Sequence, residues 1–274
     1  MKKNIKMIGL DLDGTLLNEQ KKVTPHTREV LRAALEQGVT ILVATGRPLN
    51  GVPDELLRFP GMRFVLTCNG ARVIDQQEEK IVFERLVSLQ DAEKVLAIFA
   101  EYDTLIEAFH KGKGYMNQVE ELEKYFANIL MMNYTLATRK RVSDLKTTIR
   151  QLPDGFDKIR AVFYRPEERL EAFQRMKTET NLEVTGTLIN DIEVNRTGVN
   201  KGTALLDLGE MLGIRQEEIM ACGDGLNDLE MISRVGFGVA MENGIAEVKR
   251  AADYITATND NEGVAKAIET FVLK

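Results

Sequence analysis

The sequence predicts an α/β protein: a parallel sheet covered by helices on both faces, with a second domain inserted into the first. Short, continuous apolar runs alternate with amphipathic helices at both ends of the 274-residue chain, and this alternation is typical of parallel sheets. Turns with glycine and polar side chains follow several of these runs. The middle of the chain mixes apolar and polar residues within its predicted strands, which indicates a separate domain.

The N-terminal part contains a predicted helix and three buried strands. The helix begins at Pro25, after the candidate N-cap residue Thr24, and ends at Gly38. These residue types are preferred at helix termini. The three predicted strands are Ile8–Leu10, Val39–Ala44 and Phe64–Leu66.

The C-terminal part repeats this pattern. Its first predicted helix is Lys201–Leu212, with Gly213 directly beyond its end, and a closing helix is predicted over Asn261–Val272. Glycine at that position is a common helix-ending signal. The strands predicted between the two helices are Ile219–Cys222, Phe237–Ala240 and Tyr254–Thr256.

The middle segment, residues 85–193, is predicted to be an inserted α+β domain, so that residues 1–84 and 194–274 form the core. Ser88 is a candidate cap for a helix that continues to about Ala100. Alternating apolar and polar residues in the strands predict a sheet with one solvent-exposed face. These strands are Thr104–His110, Lys158–Tyr164 and Leu182–Thr187.

Composition and charge exclude several classes of protein. Hydrophobic residues make up 44% and charged residues 28%, as in a folded globular chain. The net charge of -6 disfavours a nucleic-acid partner. No apolar run approaches the roughly 18 residues of a membrane span, so no membrane partner is expected. Cys68 and Cys222 lie in apolar runs and are predicted to be buried thiols, which favours a reducing, cytoplasmic location.

Polar residues collect at the carboxyl ends of the predicted core strands, beyond which ligands bind in an open parallel sheet. The set combines carboxylates, one ammonium group, hydroxyls and backbone amides, and it lacks the basic cluster that a polyanion would need. Its members are Asp11, Asp13, Thr15, Thr45, Gly46, Asn69, Gly70, Lys201, Asp224, Asn227 and Asp228.

These groups favour magnesium-dependent chemistry on a phosphate ester. Carboxylates on adjacent loops repel one another unless a cation lies between them, and Mg²⁺ binds carboxylates together with phosphate oxygens. We expect Asp11, Asp224 and the backbone carbonyl of Asp13 to be ligands. Asp11 would attack phosphorus, and Asp13 would act as general acid and then as general base. The phosphoryl oxygens would be held by Thr45, the amide of Gly46 and Lys201.

Each position also has a purely structural interpretation. An Asp-Gly pair at a strand end is often only a turn, and Asp224 and Asp228 could simply cap the following helix. Lys201 could be a solvated lysine at a helix start. The functional interpretation depends on the combination, because the run Asp11–Thr15 and the other groups all end predicted elements of one half-sheet.

The motifs resemble those of the haloacid dehalogenase-like phosphohydrolases, and within them the Cof-type group with an inserted α/β cap. The four main matches are Asp11–Leu16, Ala44–Pro48, Lys201–Gly202 and Gly223–Asp228, and Asn69–Ala71 also resembles this subgroup. The resemblance implies a Rossmann-like core, a magnesium requirement and hydrolysis of small phosphate esters through an aspartyl-phosphate.

The resemblance also implies a role for each matching residue. Asp11 matches the nucleophile and a metal ligand, and Asp13 matches the acid/base, which also gives its carbonyl to the metal. Asp224 matches a metal ligand, and Asp228 an acidic residue that supports the metal or the lysine. Phosphate contacts are implied for Leu12 and Gly46 through their backbone amides, and for Thr45, Lys201 and Asn227.

Two departures from the family pattern concern substrate preference rather than chemistry. Gly225 stands where the subgroup often has Asn or another polar residue, and Glu242 and Gly244 replace a commoner small-residue pattern. We expect the substrate to be a small phosphorylated metabolite, either a sugar phosphate or a phosphorylated cofactor, and both monomer and homodimer stay open.

Two alternative functions are compatible with the same residue types. A phosphomutase would form the same aspartyl-phosphate and differ only in its product. A phospho-aspartate signalling receiver also combines Asp, Thr and Lys around magnesium, but Asp13 and the inserted domain argue against it.

Overall fold

The computed structural model describes residues 2–186 and 190–273. The chain forms two compact units: Met1–Gly46, Val52–Phe83 and Asn200–Lys274 make up the first, and Arg47–Gly51 and Glu84–Val199 the second. Two of these boundaries lie near those expected from the sequence, whereas the grouping of Arg47–Gly51 with the second unit was not expected. Within the described ranges, no helix is long and apolar enough to cross a membrane.

The first unit contains an eight-stranded sheet. In spatial order its strands are β14 (Tyr254–Ile255), β13 (Phe237–Ala240), β12 (Ile219–Gly223), β1 (Met7–Leu10), β2 (Thr40–Ala44), β3 (Phe64–Thr67), β4 (Arg72–Asp75) and β5 (Lys80–Glu84). Every pairing from β14 to β3 is parallel, and β4 joins β3 in the antiparallel direction. The prediction of a parallel-sheet core is confirmed.

The helices of the first unit are α1 (Pro25–Glu36), α2 (Asp54–Leu57), α7 (Lys201–Met211), α8 (Leu229–Arg234), α9 (Ala246–Ala251) and α10 (Gly263–Phe271). The α1 helix begins as predicted, because the Thr24 side chain accepts a hydrogen bond from the Thr27 N–H at 3.1 Å. Residues of α7 and α8 pack against Met7 and Ile219 on one face of the sheet. The alternate strand residue Ile8 is fully buried as well. Both faces of the parallel strands are therefore buried, which explains their continuous apolar runs.

The second unit contains a six-stranded, mostly antiparallel sheet, in which only β7 and β8 pair in parallel. In spatial order its strands are β10 (Glu183–Thr185), β11 (Asp191–Asn195), β9 (Lys158–Phe163), β6 (Thr104–His110), β7 (Lys113–Asn117) and β8 (Arg139–Val142). Its helices are α3 (Leu89–Phe99), α4 (Ile129–Thr138), α5 (Leu145–Arg150) and α6 (Pro166–Glu179). Apolar residues of α3, α5 and α6 pack against one face of this sheet.

The centre of the other face of this sheet is buried, so the prediction of one solvent-exposed face is wrong. Its charged residues Glu107 and Arg160 alternate with apolar residues as expected, but they are buried, as is Asp191 on β11, a strand that was not predicted. Arg160 donates to Glu107 Oε2 at 2.7 Å and to Asp191 Oδ2 at 2.9 Å, and Arg139 donates to Glu107 Oε1 at 2.7 Å. The polar alternation therefore marks a buried network of ion pairs, in which each charge has a partner.

Several predicted elements differ from those observed by one residue at an end, and two differ by more. The predicted helix Asn261–Val272 is replaced by a short 3₁₀ turn, Asn259–Asn261, then Glu262 at φ 59° and then α10. The helix cannot extend back to Asn261 because Glu262 is left-handed. Gly263 packs so closely that an added Cβ would lie 2.1 Å from the Ala257 carbonyl oxygen. The predicted strand Leu182–Thr187 is shorter as observed, and its last residue lies outside the described residues.

Candidate active site

The loop after β1 carries Asp11 at the carboxyl edge of the first unit's sheet. The Asp11 N–H still donates to Cys222 O at 3.1 Å, and the loop then folds back, with the Leu17 N–H donating to Leu12 O at 2.9 Å. Gly14 takes φ +84°, and a Cβ at this position would lie 2.3 Å from Asp224 Oδ2. Glycine is therefore required both for the backbone conformation and for the close approach of Asp224.

Lys201 is the first residue of α7 and is fully buried. The helix starts there because the Asn200 side chain accepts the Thr203 N–H at 2.8 Å. Lys201 Nζ donates to Asp11 Oδ1 at 2.5 Å and to Asp228 Oδ1 at 2.7 Å. The lysine is therefore not the solvated helix-start residue of the structural interpretation.

Asp224 and Asp228 lie in the loop after β12. The second oxygen of Asp228 accepts the backbone N–H groups of Asp224 and Gly225, both at 3.0 Å. Asp224 Oδ1 accepts from the Thr15 hydroxyl at 2.9 Å. Asp228 therefore binds Lys201 with one oxygen and orders the Asp224 loop with the other.

This cluster contains three carboxylates and one ammonium group, so acidic groups outnumber basic ones. Asp11, Asp224 and Asp228 each bring a carboxylate oxygen to within 4.8 Å of the others, and Lys201 is the ammonium group that contacts two of them. Burial and the charge of Asp228 raise the pKa of Asp11 well above its usual value, although Lys201 opposes this shift. Burial and Asp228 raise the pKa of Asp224 to about 7. Burial lowers the pKa of Lys201, but Asp11 and Asp228 outweigh it, so the net shift is upward and the lysine stays charged.

This donor set fits a hard divalent cation. Hard cations prefer oxygen ligands, and Mg²⁺ commonly uses one or two carboxylates and completes its shell with water and phosphate oxygens. Burial is the main cause of the raised pKa values of Asp11 and Asp224, and the charge of Asp228 adds to it; a bound cation would oppose both effects.

Asp13 lies apart from the carboxylate cluster. Its side chain is 42% exposed, and Lys21 Nζ donates to Asp13 Oδ1 at 2.7 Å. An exposed carboxylate next to a buried one has the freedom that proton transfer to and from a bound substrate requires. The contact with Lys21 was not predicted, and a lysine in a polar loop carries no sequence signal for it.

The remaining predicted phosphate contacts also lie at the carboxyl edge. Thr45 is buried directly after β2, where its N–H donates to Leu66 O at 2.9 Å and its carbonyl accepts from the Asn69 N–H at 3.0 Å. Asn227 Nδ2 donates to Asn69 Oδ1 at 3.1 Å. Within the described residues, the backbone N–H groups of Leu12 and Gly46 have no protein acceptor, so both can donate to a ligand.

Sequence reasoning missed one further residue that supports the loops. Asn243 Nδ2 donates to Gly14 O at 2.8 Å, and its Oδ1 accepts the Asn259 N–H at 3.0 Å. Asn243 thereby ties the Asp11 loop to a distant loop of the same unit. Its sequence neighbourhood carries only the general tendency of Asn to occur in loops.

The departures from the family pattern have local explanations in the structure. Gly225 has an ordinary φ of -107°, and an added Cβ would meet only Asn227 Oδ1 closely, at 3.1 Å. A side chain at this position would therefore press on Asn227. Gly244 is tightly confined, because an added Cβ would lie 2.9 Å from Met241 O and 3.1 Å from Asp224 O.

Comparison with known proteins identifies the family. The sequence model of haloacid dehalogenase-like hydrolases matches residues 8–268, nearly the whole chain. The chain belongs to the haloacid dehalogenase-like hydrolases. The predicted resemblance is confirmed, and the chain is a phosphatase of this superfamily rather than a signalling receiver.

Several relatives are similar over almost their full length. One is the 5-amino-6-(5-phospho-D-ribitylamino)uracil phosphatase YcsE of Bacillus subtilis, 32% identical, with 98% of this chain and 97% of the relative covered. The HMP-PP phosphatase of Serratia proteamaculans is 29% identical, with 89% and 86% covered. A solved sugar phosphatase of subclass IIB of the superfamily is 25% identical, with a TM-score of 0.84, and 98% of this chain and 100% of that chain are covered.

Proposed function

We propose that this protein hydrolyses small phosphorylated metabolites in a magnesium-dependent reaction, through a phosphoryl group carried transiently on Asp11. The observation that carries the proposal is the placement of Asp11. Its carboxylate is nearly inaccessible, contacts the ammonium group of Lys201, and lies beside Asp224 and Asp228. A buried nucleophile held between a cation and a metal-binding cluster is suited to attack a dianionic phosphate.

The metal would be held by Asp11, Asp224 and the backbone carbonyl of Asp13, with support from Asp228. When bound, Mg²⁺ supplies positive charge that stabilises the phosphoryl oxygens in the transition state. Lys201 contributes a second positive charge from the first turn of α7, and Asp228 Oδ1 accepts a hydrogen bond from its Nζ at 2.7 Å. Asp228 thus acts mainly by orienting Lys201 and the Asp224 backbone.

With Asp11 as nucleophile and Asp13 as acid and base, the reaction has two steps. A carboxylate oxygen of Asp11 forms a bond to phosphorus while the bond to the leaving oxygen breaks, and Asp13 gives that oxygen a proton. Water then attacks the phosphorus of the aspartyl-phosphate, Asp13 takes the proton of that water, and phosphate leaves with Asp11 restored. The exposed position of Asp13 supports this double use.

The phosphoryl oxygens would be bound by groups from four segments: the loops after β1, β2 and β12, and the start of α7. The N–H groups of Leu12 and Gly46, which have no acceptor among the residues that the structure describes, support this role, because developing charge on phosphoryl oxygens is stabilised by preorganised donors. The other donors we propose are the Thr45 hydroxyl, Lys201 Nζ and the Asn227 amide.

The second unit would act as a cap that selects the leaving group. All of the proposed catalytic residues belong to the first unit, so the residues that distinguish one metabolite from another must come largely from elsewhere. The named relatives act on a phosphorylated pyrimidine derivative, HMP-PP and sugar phosphates. Sugar phosphates and phosphorylated cofactor precursors are therefore the substrate classes to test first.

A panel of phosphate esters assayed for released phosphate, with and without Mg²⁺, tests this function. We expect phosphate release from several small esters, which stops when the metal is chelated and returns when Mg²⁺ is added. Asp11→Asn is the matched control, because it keeps size and removes the attacking charge. If the product is an isomeric phosphate ester instead of free phosphate, the enzyme is a mutase. If the Asp11→Asn variant keeps a tenth of the normal turnover, the reaction does not proceed through a phosphoryl group on Asp11.

A further inference from the structure

The turn after β3 has an unusual backbone conformation. Cys68, Asn69 and Gly70 have φ values of 49°, 59° and 98°, so three consecutive residues are left-handed. Only glycine adopts this region freely, although asparagine tolerates it better than most residues. Such strain persists where surrounding contacts hold the backbone, and it often occurs at functional sites.

The contacts of this turn connect it to three parts of the candidate active site. The Asn69 N–H donates to the carbonyl of Thr45 at 3.0 Å, and Asn69 Oδ1 accepts from Asn227 Nδ2 at 3.1 Å. An added Cβ on Gly70 would lie 2.7 Å from the carbonyl oxygen of Asn200, the residue that caps the helix of Lys201. The turn therefore packs directly against the loops and the helix that carry Thr45, Asn227 and Lys201.

The Asn69 side chain is placed to orient Asn227. It is 2% exposed, so its amide is largely removed from competing water. Asn227 itself is only half-buried, in a short 3₁₀ turn. Its amide would be free to rotate without the acceptor oxygen of Asn69, because amide side chains rotate readily about their terminal bond.

We propose that Asn69 is a positioning residue for phosphoryl transfer, which aims the Asn227 amide at the phosphoryl oxygens while its backbone holds Thr45. This inference rests on the proposed function, in which Asn227 and Thr45 bind the phosphoryl group. Asn69 itself does not touch the substrate. Its side chain acts through Asn227, and this route distinguishes it from a residue that merely stabilises the turn.

A double-mutant cycle with Asn69→Gly and Asn227→Ala tests the proposal. Glycine adopts φ 59° freely, so Asn69→Gly removes the side-chain amide and adds no backbone strain. Glu79→Gly is the matched control, because Glu79 is an exposed left-handed residue at φ 48° in the same unit. The measurements are kcat/KM, the inhibition constant of inorganic phosphate, and Tm for each variant.

We expect each single variant to lower kcat/KM about tenfold, the effect of one lost hydrogen bond to an oriented group. Inorganic phosphate should inhibit both variants more weakly by a similar factor. Adding Asn69→Gly to Asn227→Ala should lower kcat/KM less than about twofold further, because the partner is already missing. Glu79→Gly should match the unaltered protein.

Three outcomes would overturn the proposal. Asn69→Gly could lower kcat/KM by the same factor with and without Asn227, or it could leave phosphate inhibition unchanged. It could also fail to fold at the assay temperature, which would make the turn purely structural. If Asn227→Ala is itself fully active, the phosphate contact of Asn227 is wrong and Asn69 loses its role, while the Asp11→Asn assay separately decides the proposed hydrolysis.

Discussion

Lys201 Nζ lies 2.5 Å from Asp11 Oδ1, inside a cluster where the lysine is fully buried and Asp11 is 5% exposed. The pair joins the start of α7 to the end of β1, two elements far apart in the sequence. The same ammonium group contacts Asp228, so Lys201 neutralises part of the repulsion between carboxylates on neighbouring loops.

Lys201→Met should reduce kcat/KM at least about 100-fold, the usual cost of removing one preorganised donor from a charged transition state. Methionine has a similar volume, so the packing of α7 should survive while the carboxylates lose their partner. The measurement is phosphate release with saturating Mg²⁺, with circular dichroism as the check on folding. Lys22→Met, at an exposed position, should be fully active. Equal activity of the two variants would refute the role of Lys201.

Gly14→Ala should reduce turnover, whereas its loss of unfolding free energy should be similar to that of Gly38→Ala. The new methyl group would lie 2.3 Å from Asp224 Oδ2, so the Asp224 carboxylate must shift. Gly38→Ala is a close control, because Gly38 has a similar φ of +81° and nothing lies within 4 Å of its added Cβ. Both variants should lose about 1–2 kcal/mol of unfolding free energy from left-handed strain. Only Gly14→Ala should lower the affinity for Mg²⁺ and reduce turnover, and similar turnover in both would contradict this account.

Asp13→Asn should slow hydrolysis by a factor that depends on the leaving group. General acid catalysis typically contributes about 10²–10⁴-fold, but p-nitrophenolate leaves readily without a proton. Single-turnover attack on p-nitrophenyl phosphate should therefore be impaired less than attack on an alkyl phosphate. If both esters lose the same factor in the attack step, Asp13 is not the acid.

Glu107→Gln should destabilise the second unit by about 3–5 kcal/mol at neutral pH, because it leaves two buried arginines without their shared partner. Burial alone would raise the pKa of Glu107, but Arg139 and Arg160 outweigh it and lower the pKa to about 2. The contribution is therefore complete above the ordinary value of 4.5 and is lost as the pH falls from 4.5 towards 2.

Urea unfolding across this pH range measures the Glu107 effect. The stability difference between the unaltered protein and Glu107→Gln should shrink steadily below pH 4.5. Glu101→Gln is the control, because Glu101 pairs with Arg175 at a position that is 57% exposed, and exposed pairs contribute little. A pH-independent difference would show that the loss comes from packing rather than from charge.

The core of the fold and most of the site could be predicted because both depend on local signals. Continuous apolar runs identify doubly covered strands, and polar groups at their carboxyl ends must share one edge of a parallel sheet. Asp11, Lys201 and Asp228 were named from such positions, and the structure brings them within hydrogen-bonding distance. The resemblance left open whether Asp228 supports the metal or Lys201, and the contact of Lys201 with Asp11 was not predicted, because side-chain pairing depends on packing.

The failures have equally specific causes. Alternation along β6 and β9 shows which residues share a face, but it does not show whether water or charged partners cover that face. The face that carries the Glu107 network was therefore predicted to be solvent-exposed. Asn69 was noted as a strand-end residue and as part of a motif of the subgroup, but it was given no role. Its left-handed conformation and its bond to Asn227 depend on a neighbouring loop, and no local pattern encodes that contact.

The most direct test of the account is the identity of the residue that carries the phosphoryl group. Asp13→Asn is mixed with p-nitrophenyl phosphate and Mg²⁺, quenched in acid within the first turnover and analysed by mass spectrometry of the intact chain and its peptides. The account predicts one phosphoryl group on Asp11, formed together with a burst of p-nitrophenolate. The double variant that carries both Asp13→Asn and Asp11→Asn should give neither signal. A burst without any phosphorylated residue, or a phosphoryl group on another side chain, would contradict it.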